Sequence, residues 1–523
     1  MAKDEEKSLL YKMKPLVDRM PAIKKPEKHV HFRRKLLWTA LILITYLVMT
    51  NIVIYGLDAE RTVDLFEQFR AIFAGESGSF VHLGITPIVN ASIMLQLFQG
   101  ADIINLDLKD DEDKALYQST QKFLVIIMIF VQAVPQTFGY LQPAVGLIDG
   151  LDGVMAGQGL LLARIIIVSQ IAIGGYMLFL MDEIISKWGI GSGVSLFIVA
   201  GVSQGIFTGT FNWLPAPGAD SPVPAGAIPK TIYILQNSSV AELSRGGFEN
   251  LLLSPPNPLI GLVSTIVIFF IVAYAESSRI ELPISHSRAR GARGRYPIKL
   301  IYASVLPVIL VAALLANINL FAMLFYTNPS FQNFPLVGGQ WWIGTFLPGS
   351  TEPIAGGAWY ISNVNGLQEW FLPLVSDKYA YMLSPEGVDW SYSKVQVIAR
   401  VIAHFTFMTV ACALFANFWV KTTNMDAESV AEQIQESGMQ IPGFRRDPRR
   451  LKKVLERYIP TITTFSGIFM GSLAAGSNML GSVGNTTGIS LFLAVSILTQ
   501  LYEQMGKEQM MEMHPMLRDF FGG

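Results

Sequence analysis

Cysteine is almost missing from this chain: Cys412 is the only one in 523 residues. That excludes an internal disulfide framework and any cysteine-cluster metal site. Charge is scarce too, at 15% Asp, Glu, Lys and Arg, against roughly 25% in a soluble protein. No Walker loop, His-Glu-x-x-His or nucleophile elbow occurs, so the commonest nucleotide, zinc and acyl-transfer sites have no motif here. One stretch, Gly189-Ile190-Gly191-Ser192-Gly193, is glycine-rich. It follows an apolar run and has no lysine where a phosphate cradle needs one, so it reads as a tight turn between packed helices. Neither enzymatic activity, nor a metal, nor an organic cofactor is expected. A cleavable leader is not expected either, because the first apolar run follows a long charged segment and lacks a cleavage site.

What the chain does have is apolar length. It is 51% hydrophobic, with a mean hydropathy of +0.41. A spanning helix needs about 20 mainly apolar residues. Ten windows qualify: 35–55, 80–99, 117–140, 158–181, 193–212, 258–277, 299–325, 394–420, 459–481 and 487–506. The fold class is therefore an all-α polytopic membrane protein. Counted over alternate loops, Lys and Arg divide 31 to 5, a strong positive-inside bias that puts both termini in the cytoplasm.

The expected organisation is a cytoplasmic amphipathic segment at 1–34, a first five-helix half at 35–212, and an external linker at 213–257. A second half follows at 258–506, with basic cytoplasmic loops at 278–299 and 421–457, and then a tail at 507–523. Leu9, Met13, Leu16 and Met20 recur at helical spacing among charges, as in a helix lying on the membrane surface or a plain charged leader. External residues 58–76 carry Leu65, Phe66, Phe69, Ile72 and Phe73 on one helical face and are too polar to span. Two readings stand, an interfacial helix or a short helix folded back into a funnel, and polarity favours the first. The long external loop 326–393 holds five tryptophans, which suit interfacial anchoring.

The most informative pattern is a repeat. Gly193-Val194-Ser195-Leu196-Phe197-Ile198 opens the fifth window, and Gly488-Ile489-Ser490-Leu491-Phe492-Leu493 opens the tenth. Thr86-Pro87-Ile88-Val89 echoes Leu306-Pro307-Val308-Ile309 more weakly. Five helices per copy is an odd number, so the second copy is inverted, with its site at the repeat interface near midplane. Inverted repeats usually suggest a secondary transporter, which needs ionisable or unwound groups at that depth. Here the span centres are poor in charge. His404 is the one titratable group deep in a span, and it reads as a hydrogen-bonded packing residue. Two loops of the second half are densely basic, one through Arg288, Arg290, Arg293 and Arg295, the other through Arg445, Arg446, Arg449 and Arg450. Such density exceeds simple anchoring and suggests a polyanion such as RNA phosphate.

Taken together, these residues resemble SecY, the α-subunit family of the Sec protein-conducting channel, in its archaeal and eukaryotic-like branch. The resemblance rests on Tyr296-Pro297-Ile298-Lys299, on Leu306-Pro307-Val308-Ile309-Leu310 with Ala316-Asn317-Ile318, and on Gly438-Met439-Gln440-Ile441-Pro442-Gly443-Phe444-Arg445. It rests also on Leu83-Gly84-Ile85-Thr86-Pro87 and Tyr502-Glu503-Gln504. It implies an hourglass of ten helices in two inverted five-helix halves, with an aliphatic pore ring at Ile85, Val89, Val194, Ile198, Ile309 and Leu493 (Leu491 being the alternative on its helix). Residues 58–76 become a plug folded into the outer funnel. Asn90, Gln132 and Asn317 match polar positions of a lateral gate between spans two, three, seven and eight. Gln132 stands where some relatives have an acid.

The same resemblance implies ribosome docking at Arg290, Arg293, Arg295, Arg445 and Arg446. The implied partners are a SecE-like γ-subunit, a small β-subunit, the ribosome, signal sequences with nascent chains, and membrane lipid. The implied function is passage of unfolded polypeptides across the cell membrane and sideways release of transmembrane segments.

Overall fold

The computed structural model describes residues 23–24, 26, 30–58, 70–100, 104, 110–139, 141–153, 157–215, 222–237, 248–253, 257–286, 293–299, 301, 305–327, 339–347, 352–384, 388, 390–423, 425–436, 439–440, 448–484 and 486–513. The amphipathic stretch at 5–20 lies outside them. Each apolar window holds a long helix: α1 Phe32–Thr50, α2 Thr86–Gly100, α3 Asp111–Gly139, α4 Gly159–Trp188, α5 Gly193–Phe211, α6 Leu259–Ser277, α7 Leu306–Thr327, α8 Lys394–Thr422, α9 Pro448–Leu480 and α10 Gly488–Met513. Seven of these meet a membrane span's demands of length and composition. Of the other three, α1 opens on Arg33, Arg34 and Lys35, α2 is 15 residues long, and α10 turns polar from Glu503 onward. This is a membrane protein.

The packing is that of a bundle in lipid. On α6 the buried face carries Gly261, Ser264, Thr265 and Ala275, while Val263, Ile266, Phe269 and Phe270 are exposed. Small and hydroxyl side chains allow close helix approach where lipid tails are as apolar as leucine. Helix starts follow local chemistry. Ser393 and Gln396 form a reciprocal capping box at α8, satisfying donors that a helix start leaves open. Asp182 of α4 accepts from the Val194 N–H at 2.9 Å, capping α5 from a neighbouring helix.

The neighbour pattern repeats between halves. In the first, α1 packs on α4 and α5, α2 on α3, α3 on α4, and α4 on α5. In the second, α6 packs on α9 and α10, α7 on α8, α8 on α9, and α9 on α10. The halves meet where α5 touches α10 and α2 touches α7 and α8. The two hexamers are equivalent in their packing as well. A Cβ on Gly193 would stand 2.5 Å from the Asp182 Cα of α4, and one on Gly488 would stand 1.9 Å from the Ser477 carbonyl of α9. Each copy opens on glycine because its first turn lies against the backbone of the preceding helix.

The connections between helices carry structure that hydropathy does not reveal. Strands β1 (Arg279–His286) and β2 (Arg293–Lys299) form an antiparallel hairpin in the stretch expected to be a loop. Between α7 and α8, β3 (Thr345–Phe346) pairs with β4 (Pro353–Ala355). Strand β5 (Met439–Gln440) adds to β1, with Ser285 opposite Gln440. The two basic loops thus share one sheet of order β2-β1-β5. The hairpin base is tied to α10, since Arg279 and Lys299 both bond Glu503, at 2.9 and 2.6 Å.

In the segment between α7 and α8 the tryptophans divide. Trp341, Trp342 and Trp390 are exposed, but Trp359 is buried. Its ring stacks on Tyr392 and lies under the Arg400 guanidinium at 5.0 Å, so it is a core residue of the loop between α7 and α8 and not an interfacial anchor. Arg400 also meets Glu369 at 3.5 Å and donates to the Asn363 carbonyl at 2.7 Å. The Glu369 side chain is 35% exposed, yet its Oε2 is cut off from solvent. That burial pushes the carboxyl up to about 7, against the pull of Arg400.

Candidate functional site: an aliphatic waist beneath a plug

Four helices bring the six proposed ring residues into one hydrophobic core. Ile85 immediately precedes α2, one turn ahead of Val89 on that helix; Val194 and Ile198 lie one turn apart on α5, with Ile309 on α7 and Leu493 on α10. They form two tiers. Val89, Val194 and Ile309 line a cavity of about 460 Å³ whose wall also carries Ser92, Gln96, Lys114 and Tyr117. Those polar groups belong to helix ends that the Lys/Arg count assigns to the cytoplasm. Ile85, Ile198 and Leu493 do not line that cavity and are wholly buried. Leu491, the alternative to Leu493, is buried as well.

The side away from the cavity is occupied by the segment Arg70–Phe73. It is a one-turn helix with all four residues buried, in contact with α5, α7 and α10. Ile72 and Phe73 are therefore inside the bundle, and the interfacial reading of this segment is overturned for the part described. Leu65, Phe66 and Phe69 lie outside the described residues. The segment's backbone is bound directly to the waist, because the Ile85 N–H donates to the Phe73 carbonyl at 2.7 Å. Gly84 makes this possible. Its φ is +55°, and a Cβ there would come within 2.1 Å of the same carbonyl. Arg70 adds a side-chain bond to the His82 carbonyl at 2.5 Å.

The polar gate positions behave unequally. Asn317 donates through Nδ2 to Asn90 Oδ1 at 2.9 Å, and Asn90 returns a longer bond of 3.4 Å, so one amide pair joins α2 to α7. Gln132 on α3 makes neither bond, and both its amide atoms are buried without a hydrogen-bond partner. The described structure therefore brings two of the three expected residues together. His404 is buried, with Nδ1 facing the Ile361 carbonyl at 3.1 Å, as a packing histidine should be. Among the basic candidates, Arg293 and Arg295 lie on β2, opposite Ser285 and Pro283 of β1; Arg290, Arg445 and Arg446 lie outside the described residues. Among the described residues, no group of three or more His, Cys, Asp or Glu could hold a metal ion.

Sequence reasoning missed the contacts that hold the plug segment. Tyr46 of α1 donates to the Ala74 carbonyl, and nothing in its apolar surroundings along the chain marks it. Gly84, just ahead of the helix-starting Thr86-Pro87, was the one legible sign of a tight reversal. A glycine there supplies the positive φ that a turn between segment and helix requires.

Comparison with known proteins identifies the family. The family described as SecY matches residues 79–502, and the one described as "Plug domain of Sec61p" matches residues 44–78. Protein translocase subunit SecY of Haloferax volcanii is 44% identical over 513 residues, covering 97% of this chain and 98% of that protein. A solved structure described as "The structure of a protein conducting channel" superposes with a TM-score of 0.72 at 34% identity, covering 96% and 98% of the two chains. Sec61 in a canine ribosome-channel complex from the endoplasmic reticulum superposes with a TM-score of 0.69 at 32% identity, over the same shares. With both the helical body and the segment beneath its waist accounted for, the chain belongs to the SecY family.

Proposed function

We propose that this chain is the channel-forming subunit of a protein translocase and not an enzyme. Unfolded polypeptide passes through the aliphatic waist formed by Ile85, Val89, Val194, Ile198, Ile309 and Leu493. One observation carries the reading: a polar-walled cavity ends on aliphatic side chains whose far side is bonded to a buried plug segment. Aliphatic groups hold neither water nor ions, so a narrow waist of them gates by dewetting. They also give a passing chain no polar partner to stick to. No motif for binding an energy source was found, so the driving force comes from a partner.

The lateral gate lies between α2 with α3 and α7 with α8, where the Asn90–Asn317 pair bridges the seam. Opening it releases apolar segments into lipid. The joined basic loops support docking on ribosomal RNA through Arg290, Arg293, Arg295, Arg445 and Arg446, in keeping with the ribosome-bound Sec61 relative. A SecE-like γ-subunit and a small β-subunit complete the assembly. The chain sits in the plasma membrane with ten spans and both termini cytoplasmic, as the 31 to 5 division of Lys and Arg supports. The organisation into halves, plug 58–76, external linker and cytoplasmic tail follows the same reading.

The test is a photo-reactive probe at position 198 during synthesis of a stalled secretory chain. Crosslinks to the nascent chain are expected. Crosslinks to lipid alone would refute the channel assignment.

A further inference from the structure

We propose that Tyr46 is the catch that holds the plug segment in place, and that Ala74 is the sprung joint on which it closes. The inference rests on the plug reading and assigns its closure to particular atoms. Tyr46 lies on α1 and is 1% exposed. Its hydroxyl donates to the Ala74 carbonyl at 3.0 Å. Its ring packs on Phe197, with centroids 4.9 Å apart, and Phe197 precedes the waist residue Ile198 on α5. One side chain therefore touches α1, the plug segment and the wall of the pore.

Ala74 supplies the spring. Its φ is +51°, a left-handed conformation in which Cβ crowds the following carbonyl. The chain reverses there, and the Gly75 N–H closes back on the Arg70 carbonyl at 3.2 Å. Helices commonly end in this way, with glycine at the left-handed position. Here that position holds alanine and the glycine comes one residue later. Such a conformation persists only where its surroundings impose it. Two donors from separate segments do so, Ile85 N–H from the turn before α2 on the Phe73 carbonyl and Tyr46 Oη from α1 on the Ala74 carbonyl. Gly201 of α5 packs beside both groups: a Cβ there would lie in ordinary contact, 3.4 Å from Tyr46 Oη and 3.7 Å from Ala74 Cα. The plug is held by bonds to its backbone against a strain that its departure relieves, so loss of one donor shifts it outward.

The test uses the complete channel complex in planar bilayers with no translocating chain. A cysteine placed by Ala71→Cys is probed by a membrane-impermeant maleimide from the outer side, the native Cys412 being buried. Tyr46→Phe removes the hydroxyl and keeps the ring. Resting current and labelling rate should each rise about three- to tenfold, the range set by one net hydrogen bond. Ala74→Gly relaxes the joint and should lower both below wild type. The Tyr46→Phe/Ala74→Gly double variant should fall between, a recovery that a merely loosened core would not show. If Tyr46→Phe leaves current and labelling unchanged while a Val89→Gly/Ile198→Gly control leaks, the catch is refuted and the plug reading stands. If the control is silent too, the waist reading falls along with the catch. Failure of Ala74→Gly to bring the Tyr46→Phe labelling down also refutes the proposal.

Discussion

The two asparagines of the proposed lateral gate are not interchangeable, and the difference between them is measurable. Asn317 Nδ2 bonds both Asn90 Oδ1 at 2.9 Å and its own-turn Ala313 carbonyl at 2.8 Å. Asn90 is buried, and its amide bonds are those to Asn317. Asn90→Ala therefore removes an interhelical bond but leaves Asn317 partly satisfied, costing the closed gate about 1 kcal/mol, within the range for polar contacts inside a membrane bundle. Asn317→Ala removes the same bond and strands the Asn90 amide. A stranded buried amide adds roughly 1–3 kcal/mol, so the closed gate loses about 2 kcal/mol or more. Opening should ease about fivefold for Asn90→Ala and about thirtyfold for Asn317→Ala.

The assay is export of a reporter whose signal sequence has a shortened apolar core, read as the protease-protected fraction. Weak signals gain most from an eased gate, so the order of the two variants should be clearest there. Replacing both residues by leucine leaves no stranded amide, and the double variant should export less of the reporter than Asn317→Ala alone. Equal effects of the two alanines, or a larger effect at Asn90, would refute the reasoning.

Three further outcomes are expected. Val89→Gly with Ile198→Gly should make the resting channel conduct ions in bilayers, and unchanged conductance would count against the waist. Arg445→Glu with Arg446→Glu should weaken ribosome binding, most at low salt where phosphate contacts are strongest, while membrane insertion is retained; wild-type binding at low salt would remove the docking role. Glu369 has its folded value raised from an ordinary 4.5 to about 7. The folded state therefore favours the protonated acid, and its stabilising contribution is present below about 4.5 and lost as pH climbs to about 7. The melting temperature in detergent should fall across that window, and Glu369→Gln should flatten the fall.

Much of the helical framework was legible in one dimension because lipid imposes a local rule. Every buried backbone group must be satisfied within its own helix, so each span announces itself as a long apolar run. The repeat was legible too, since Gly193 and Gly488 meet the same constraint in two copies and the chain carries the same residue for it. The proposed waist was harder to see. Ile85, Ile198 and Leu493 look like any aliphatic residues in any membrane helix, and only the internal repeat and the family resemblance picked them out.

Contacts between distant segments left no such trace. The hairpin at Arg279–Lys299 is short, basic and interrupted by Pro283 and Pro297, so neither alternation nor propensity marks it as strands. Its pairing with Met439–Gln440 joins segments more than 150 residues apart. Trp359 looked like an anchor because tryptophan favours interfaces, but Arg400 and Tyr392 offered its ring a buried stack.

By itself, then, the sequence determined the membrane class, the positions of the helices, the bias of positive charge and the two-copy plan, because each follows from residues near one another in the chain or from their count. Only the tertiary structure decided that Arg70–Phe73 lies inside the bundle and that Asn90 meets Asn317. The same is true of Tyr46 reaching across to the Ala74 carbonyl. Those are meetings of single polar groups from separate helices. Their free energy depends on distance and direction in space, and neither is written in the order of residues along one helix.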